Sequence, residues 1–485
     1  MSSPADVEAP VDPYRRVRLA YLVGTCIYNF GFGLFSLASF LIVYDKTRSV
    51  TATGLIMVCL SLPQVVLPGV ATRLSQLWGG PKLYVVGSAL GGILTLVPAG
   101  LSMAGLLTVP TLLAYYVGLG AIYGAMKPSS SMIRVKMAAP GRLAELNGNV
   151  TVAWALATAA GYLLGSSAYT YLGTTWVFFI GALACLPLAL AIVPMMRSHD
   201  LGAPEAPKAS ATGELRVGPD ATAATDAPAA IDATAVTDAP AATDATAAAA
   251  EDAERFRDVI GVWRANGGIR AIAALNVLVC AVGGFTVVLP AMARTLGSDA
   301  SILSLLEASA VLGGLFVTMI IKGIKGRLGW FIAIRMHNML MAACFVGLVA
   351  VVALDGSTHP MGFRWVSLLV AIGAVLGIGL ALNFDASVLS AMIQHAAPTK
   401  HLAAVLEGYA LIALVVVPLG QEVIGAVADS VSLAAGVALP LVMMVGFILI
   451  FPRSDLRREF NNLDGAAEEH PSPLLRALGA HARDV

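Results

Sequence analysis

Charge is scarce in this sequence. Only 12% of its 485 residues are Asp, Glu, Lys or Arg, against about 25% in a typical soluble domain. Hydrophobic residues make up 58% and the mean hydropathy is +0.80, which excludes an ordinary soluble globular chain. Cysteine is nearly missing as well. Cys26, Cys59, Cys185, Cys280 and Cys344 all lie in apolar stretches and none forms a CxxC pair, so spacing suggests neither a disulfide framework nor a zinc site. The five read as small core residues. No Walker A loop, G-x-S-x-G or HExxH occurs, nor any soluble segment able to fold a catalytic domain. An enzyme, a cofactor and a nucleic-acid partner are therefore not expected.

Long apolar runs are what the sequence has in abundance. A helix needs about 20 residues to cross the hydrocarbon core, and twelve stretches qualify: 18–43, 53–72, 83–103, 110–134, 147–170, 175–196, 269–291, 302–321, 330–353, 365–393, 402–427 and 432–451. The first follows Tyr14-Arg15-Arg16 but is too long for a signal h-region and lacks a small-residue cleavage site, so it reads as a retained helix.

Cations in short loops stay on the cytoplasmic side. With the N-terminus inside, the outer loops hold only Lys46, Arg48, Arg294 and Arg364, whereas the inner segments hold Arg15, Arg16, Arg18, Arg73, Lys82, Lys136, Arg142, Arg197, Lys322, Lys325, Arg327, Lys400 and Arg453, among others. Both termini are expected in the cytoplasm, and the protein in the plasma (inner) membrane. The net charge of zero hides this segregation.

Between the sixth and seventh stretches, "PDATAATDAPAAIDATAVTDAPAATDATAAAA" places Asp at 220, 226, 232, 238 and 244. A six-residue period matches no helical face, and Pro recurs, so this is a solvated tether. The expected organisation is a cytoplasmic segment 1–17, a six-helix half 18–196, a linker 197–268, a second half 269–452 and a cytoplasmic tail 453–485. The halves repeat each other weakly. Arg18 and Gly31 correspond to Arg270 and Gly283 at one offset, "GLGAIYGAMKPSSSMIRVKMAAP" parallels "GIGLALNFDASVLSAMIQHAAP", and "ELNG" parallels "VLEG". Six plus six spans with a parallel internal repeat is a transporter architecture.

Over nearly all of residues 15–455 the chain resembles the major facilitator superfamily, through the hinge after the second span, the long central linker and "SVTATGLIMVCLSLPQVVLPGVATRL", which is similar to drug- and siderophore-exporter branches. The resemblance implies an all-α integral membrane fold with twelve transmembrane helices in two pseudo-symmetric six-helix halves. It also implies a gate loop between helices two and three of the form G-x-x-x-G-x-L-x-D-R-x-G-R-R, whose Asp caps a helix and pairs with Arg. In "PGVATRLSQLWGGPK", Arg73, Leu74, Gly79 and Lys82 keep the shape and the cations, but Gln76 stands for the Asp and Leu77 for the Arg. Gly79 and Gly80 are expected to make the turn. The corresponding loop of the second half keeps Gly314, Lys322, Lys325, Gly326 and Arg327 and again lacks an acid. Other family markers depart too: Ala114 replaces an expected Arg, Tyr162 an expected Pro, and Gly31-Phe32-Gly33 a Gly-Asp-Gly stretch.

An ionisable side chain inside a span costs about 2.5–3.5 kcal/mol on insertion scales, so each is a functional candidate. Lys127, Glu307, Asp385, Glu407 and Glu422 lie deepest. Lys127 and Asp385 are nearly repeat-equivalent on helices four and ten, which the resemblance places on opposite sides of the central path. They are expected to meet or share a ligand there, against the alternative that Lys127 snorkels to the interface and Asp385 bonds within its own helix. Glu407, about one and a half turns into its helix, could carry a proton or make a structural contact. Glu307 sits beside small residues suited to close packing, Glu422 reads as interfacial, and Asn29 and Asn276 line the path or join helices. Tyr28, Tyr115, Tyr116, Trp154 and Phe285 offer an aromatic surface.

The expected function is secondary active transport by alternating access, as proton-driven efflux of a small amphipathic or drug-like molecule by a monomer embedded in the bilayer. Uptake of a small solute in the same fold is the alternative, and a non-transporting scaffold or sensor stands behind both.

Overall fold

A computed structural model describes residues 14–138, 142–197, 261–297, 300–317, 330–355, 361–397 and 402–450. The regular elements among them are helices, the only open-ended element that satisfies every backbone group within one segment when lipid surrounds it. The first half contains α1 (Arg15–Thr47), α2 (Val50–Val66), α3 (Pro68–Trp78), α4 (Gly80–Met103), α5 (Val109–Met137) and α6 (Leu143–Arg197). The second half contains α7 (Gly267–Gly283), a 3-10 turn (Gly284–Val288), α8 (Leu289–Leu296), α9 (Ala300–Leu315), α10 (Trp330–Asp355), α11 (Met361–Ala396), α12 (Leu402–Ser430) and α13 (Leu433–Ile450).

Eight described helices are long and apolar enough to cross a membrane, and three shorter apolar ones accompany them. The longest, Glu145–Met196, bends at Gly173, where φ is 80°. It therefore crosses twice, and the twelve expected crossings are all present, six in each half. The tether, the C-terminal tail and the second-half loop around Lys322, Lys325, Gly326 and Arg327 fall outside the described residues.

Local chemistry sets the helix ends. Ser49 caps α2 by accepting from the Ala52 amide, Thr108 forms a capping box with Thr111 on α5, and Asn266 accepts from the Gly268 and Ile269 amides at the start of α7. The stretch expected as a polar hinge, Pro68–Lys82, is mostly helix. Pro68 opens α3 because it needs no amide partner in the first turn. The turn belongs to Gly79 alone, at φ 79°, while Gly80 already begins α4 and is buried against Ser129 and Met132 of α5. The two-glycine turn is corrected on this point.

The repeat seen in the sequence is a repeat of helix crossings. A Cβ on Gly120 of "GLG" would lie 2.1 Å from the Leu60 carbonyl oxygen, and one on Gly379 of "GIG" 2.1 Å from that of Ala310. Each second glycine lets α5 touch α2, or α11 touch α9, backbone to backbone. Within each half the helices pack mainly on their own neighbours, and one apolar core spans the halves. Leu37, Leu41, Val50 and Tyr162 share it with Phe285, Val287, Leu289 and Leu303.

Candidate functional site: a seam between the halves

The seam runs where α2 meets α12 and α6 meets α9. We call the end carrying the α1–α2 connection the distal face, and the end where α1 starts and α6 finishes the terminal face. At the distal face Asp45, at the end of α1, receives two bonds from Arg294 of α8, Nε to Oδ1 at 3.1 Å and a second guanidinium nitrogen to Oδ2 at 2.5 Å. The pair is fork-on-carboxylate and only about a quarter exposed. Arg48 adds a longer contact to Asp45 at 3.8 Å.

Asp429, near the end of α12, closes the same face differently. Its carboxylate accepts from Ser49 Oγ at 2.6 Å, the Val50 amide at 2.8 Å and the Thr51 amide at 3.0 Å. These amides are the free donors of the first turn of α2, so an acid in one half caps a helix of the other, at its positive dipole end. One turn inward, a Cβ on Gly425 would lie 2.9 Å from the Thr51 Cα, and at the next level a Cβ on Gly54 would lie 3.0 Å from Glu422 Oε1. Glu422, Gly425 and Asp429 thus form one i, i+3, i+7 stripe of α12 against α2. Across the second contact the Ser166 amide donates to Ser304 Oγ at 3.3 Å. One turn inward from each lie Tyr162 and the buried Glu307, within electrostatic reach of each other.

The sequence-predicted residues separate on this frame. Asp385 is 1% exposed, and neither carboxylate oxygen has a hydrogen-bond partner. Its surroundings belong to the second half: Tyr409 lies nearby, and the adjacent Phe384 stacks on His337 with ring centroids 3.5 Å apart. Lys127 is half-buried on α5. The expected meeting of Lys127 and Asp385 does not occur here. Among the described residues α5 packs on α2, α3 and α4, and α11 on α7, α9 and α10, rather than on each other. Both residues lie toward the terminal face, away from the level at which the halves are joined.

Asn276 joins helices, its Nδ2 donating to the Tyr409 carbonyl at 3.2 Å, whereas Asn29 spends its donor on the Thr25 carbonyl of its own helix at 2.8 Å. The Glu407 and Gln76 side chains lie outside those described. Arg73 and Lys82 are exposed at the terminal face. In the first half Tyr123 meets Tyr28 edge to face at 6.4 Å between centroids and Phe32 at a tilt at 6.3 Å, and all three are half-buried.

Asp45, Arg294, Asp429 and Gln421 were not singled out from the sequence as site residues. Their partners lie hundreds of positions away, and no local spacing reports that. Glu422, expected at the interface, lies instead in the seam between the halves.

A family model described as Major Facilitator Superfamily matches residues 21–421. No curated protein matches the sequence. Among solved structures, a bacterial homolog of the human lysosomal transporter Spinster, in an inward-facing and unoccupied conformation, is similar at a TM-score of 0.55 and 13% identity, over 93% of this chain and 97% of that one. The nucleoside transporter NupG is similar at 0.57 and 12% identity, over 92% and 98%. At these identities the likeness is one of fold.

Proposed function

From the premise that the chain belongs to the major facilitator superfamily, we propose that it is a proton-coupled exporter of small amphipathic molecules, alternating between two states by rocking one six-helix half against the other. The observation that carries this reading is the seam itself. The halves are held together at the distal face by bonds made between halves, Asp45 with Arg294 and Asp429 with the start of α2, and such bonds can all break in one rigid-body motion. On this reading the terminal face, rich in Lys and Arg, is the cytoplasmic side, both termini lie in the cytoplasm, and the protein acts as a monomer in the plasma membrane.

Unpaired carboxyls inside the bundle support coupling to protons, since an ionised carboxylate without a partner there costs far more than a protonated one. The aromatic cluster of Tyr28, Phe32 and Tyr123 supports an amphipathic cargo. The test is transport of a panel of fluorescent amphipathic probes, ethidium among them, in proteoliposomes under an imposed pH gradient. Movement against the incoming proton is expected. Transport that ignores the gradient overturns the coupling, accumulation in the opposite direction identifies an uptake carrier, and absence of transport across the panel overturns export of this cargo class.

A further inference from the structure

A small cavity lies in the seam, lined by Phe40 of α1, Thr53, Gly54 and Met57 of α2, Thr286 and Val287 of the 3-10 turn, Pro290 of α8 and Gln421 of α12. Gln421 is 3% exposed, and its amide nitrogen donates to Thr286 Oγ1 at 3.3 Å while its carbonyl oxygen has no partner. Glu422 lies just behind the cavity wall at Gly54, where a Cβ would be 3.0 Å from its Oε1, an oxygen that is buried and likewise unpartnered. Two buried acceptors from adjacent residues therefore meet a wall that is poor in donors: Thr53 spends its hydroxyl on the Ser49 carbonyl, and only Thr286, which accepts from Gln421, keeps an O–H to give. A buried acceptor without a donor is costly, and more so when it is charged.

We propose that this cavity takes up one proton, carried by Glu422, whenever the distal face is shut, and that this proton is the one exchanged during transport. Protonation turns Glu422 from an unpaired charge into a neutral donor beside a mostly apolar cavity that holds the unpartnered Gln421 carbonyl oxygen. Its loss leaves an ionised carboxylate against Gly54 and Val287, which is relieved when the seam parts and water enters. This assignment rests on the transporter reading above and names the site through which that reading couples to protons.

The place suits the task. Glu422 is only half-buried while Oε1 is sealed, so the group reaches the interior space in the shut state and is uncovered to the other side once α2 and α12 separate. Asp385 lacks this property, because its described neighbours all belong to one half and move with it. Around Glu422 the titratable groups are few. From α2 it faces Cys59, α7, which packs along α12, carries Cys280 and, at its terminal-face end, Arg270, the cavity walls from α1, α8 and the 3-10 turn are uncharged, and α13 has no ionisable residue along its length. On α12 itself Asp429 lies two turns outward and is occupied by Ser49, Val50 and Thr51. From α11 the only buried acid is Asp385, which neighbours Tyr409, more than three turns from Glu422.

The experiment uses the full chain with its five cysteines replaced and spin labels at Tyr171→Cys and Val431→Cys, exposed positions of opposite halves at the distal face. Pulsed electron–electron distances are read in lipid nanodiscs from about pH 5 to about pH 9, where one linked proton changes the open-to-shut ratio by at most about tenfold per unit. The expected result is a growing long-distance population at high pH, abolished in Glu422→Gln, which stays shut throughout. Gln421→Leu, which removes the unpartnered acceptor, should move the transition to lower pH without abolishing it. A Glu422→Gln chain that keeps the full pH response, or a parent chain that shows none, overturns the assignment. Gradient-driven export that survives Glu422→Gln overturns it too and leaves the transporter reading standing, whereas failure of export in the parent chain is the failure of that reading.

Discussion

The two ends of the seam are built on opposite plans. At the distal face acids do the joining: Asp45 grips Arg294, and Asp429 caps α2 from across the halves. At the terminal face the loop that in related transporters carries an acid and an arginine has Gln76 and Leu77 in their places, and its one left-handed turn is Gly79. Under the proposed rocking motion, closure strength is placed at one end of the pair of halves. On that motion, bonds across the distal face and the loss of the acid–arginine pair at the terminal face favour the state in which the distal face is shut.

The largest effect is expected from a wedge at the distal end. Gly425→Val puts atoms where the Thr51 backbone now lies, and overpacking of this kind costs about 1–3 kcal/mol, borne by the shut state alone. The distal spin-label distance should lengthen in most molecules. Asp429→Ala removes a cap worth about 1–2 kcal/mol, so the open-to-shut ratio should rise roughly 5- to 30-fold. Arg294→Gln or Asp45→Asn should act in the same direction but by about 1 kcal/mol or less, because the pair is partly exposed. Exchanging the two residues, Asp45→Arg with Arg294→Asp, should recover part of the loss, read by the same distance. The smallest effect comes from the other face. Gln76→Asp with Leu77→Arg, which restores the missing pair, should shift the balance toward terminal closure by a few tenths of a kcal/mol, as exposed pairs do, and alter the transport rate. No change in rate or distance would remove the gating role of that loop.

Much of the fold was legible because membrane spans obey a composition rule that needs no partner. Twelve apolar stretches became twelve crossings, and the matched "GLG" and "GIG" segments became matched contacts on Leu60 and Ala310. The hinge was only half legible: Pro68 and the amphipathic stretch after it fold as α3, since a helix can start at proline and needs no apolar run. The site was harder. Spacing placed Lys127 and Asp385 near equivalent positions, but equivalence in a repeat puts residues on corresponding walls, not in contact, and whether the walls approach depends on the state of the seam. Asp45, Arg294 and Asp429 sit at span ends, where a charge looks like ordinary solvated surface until the opposing half is in view.

Rocking requires that the two faces open and close in opposition. It is tested most directly by measuring two distances on the same chain, Tyr171 to Val431 across the distal face and Lys136 to Gln394 across the terminal face, with all four residues exposed and replaced pairwise by spin-labelled cysteines. When Asp429→Ala is introduced, the distal distance should lengthen and the terminal distance shorten. Two distances that lengthen together, or a terminal distance that ignores a distal opening, would contradict it.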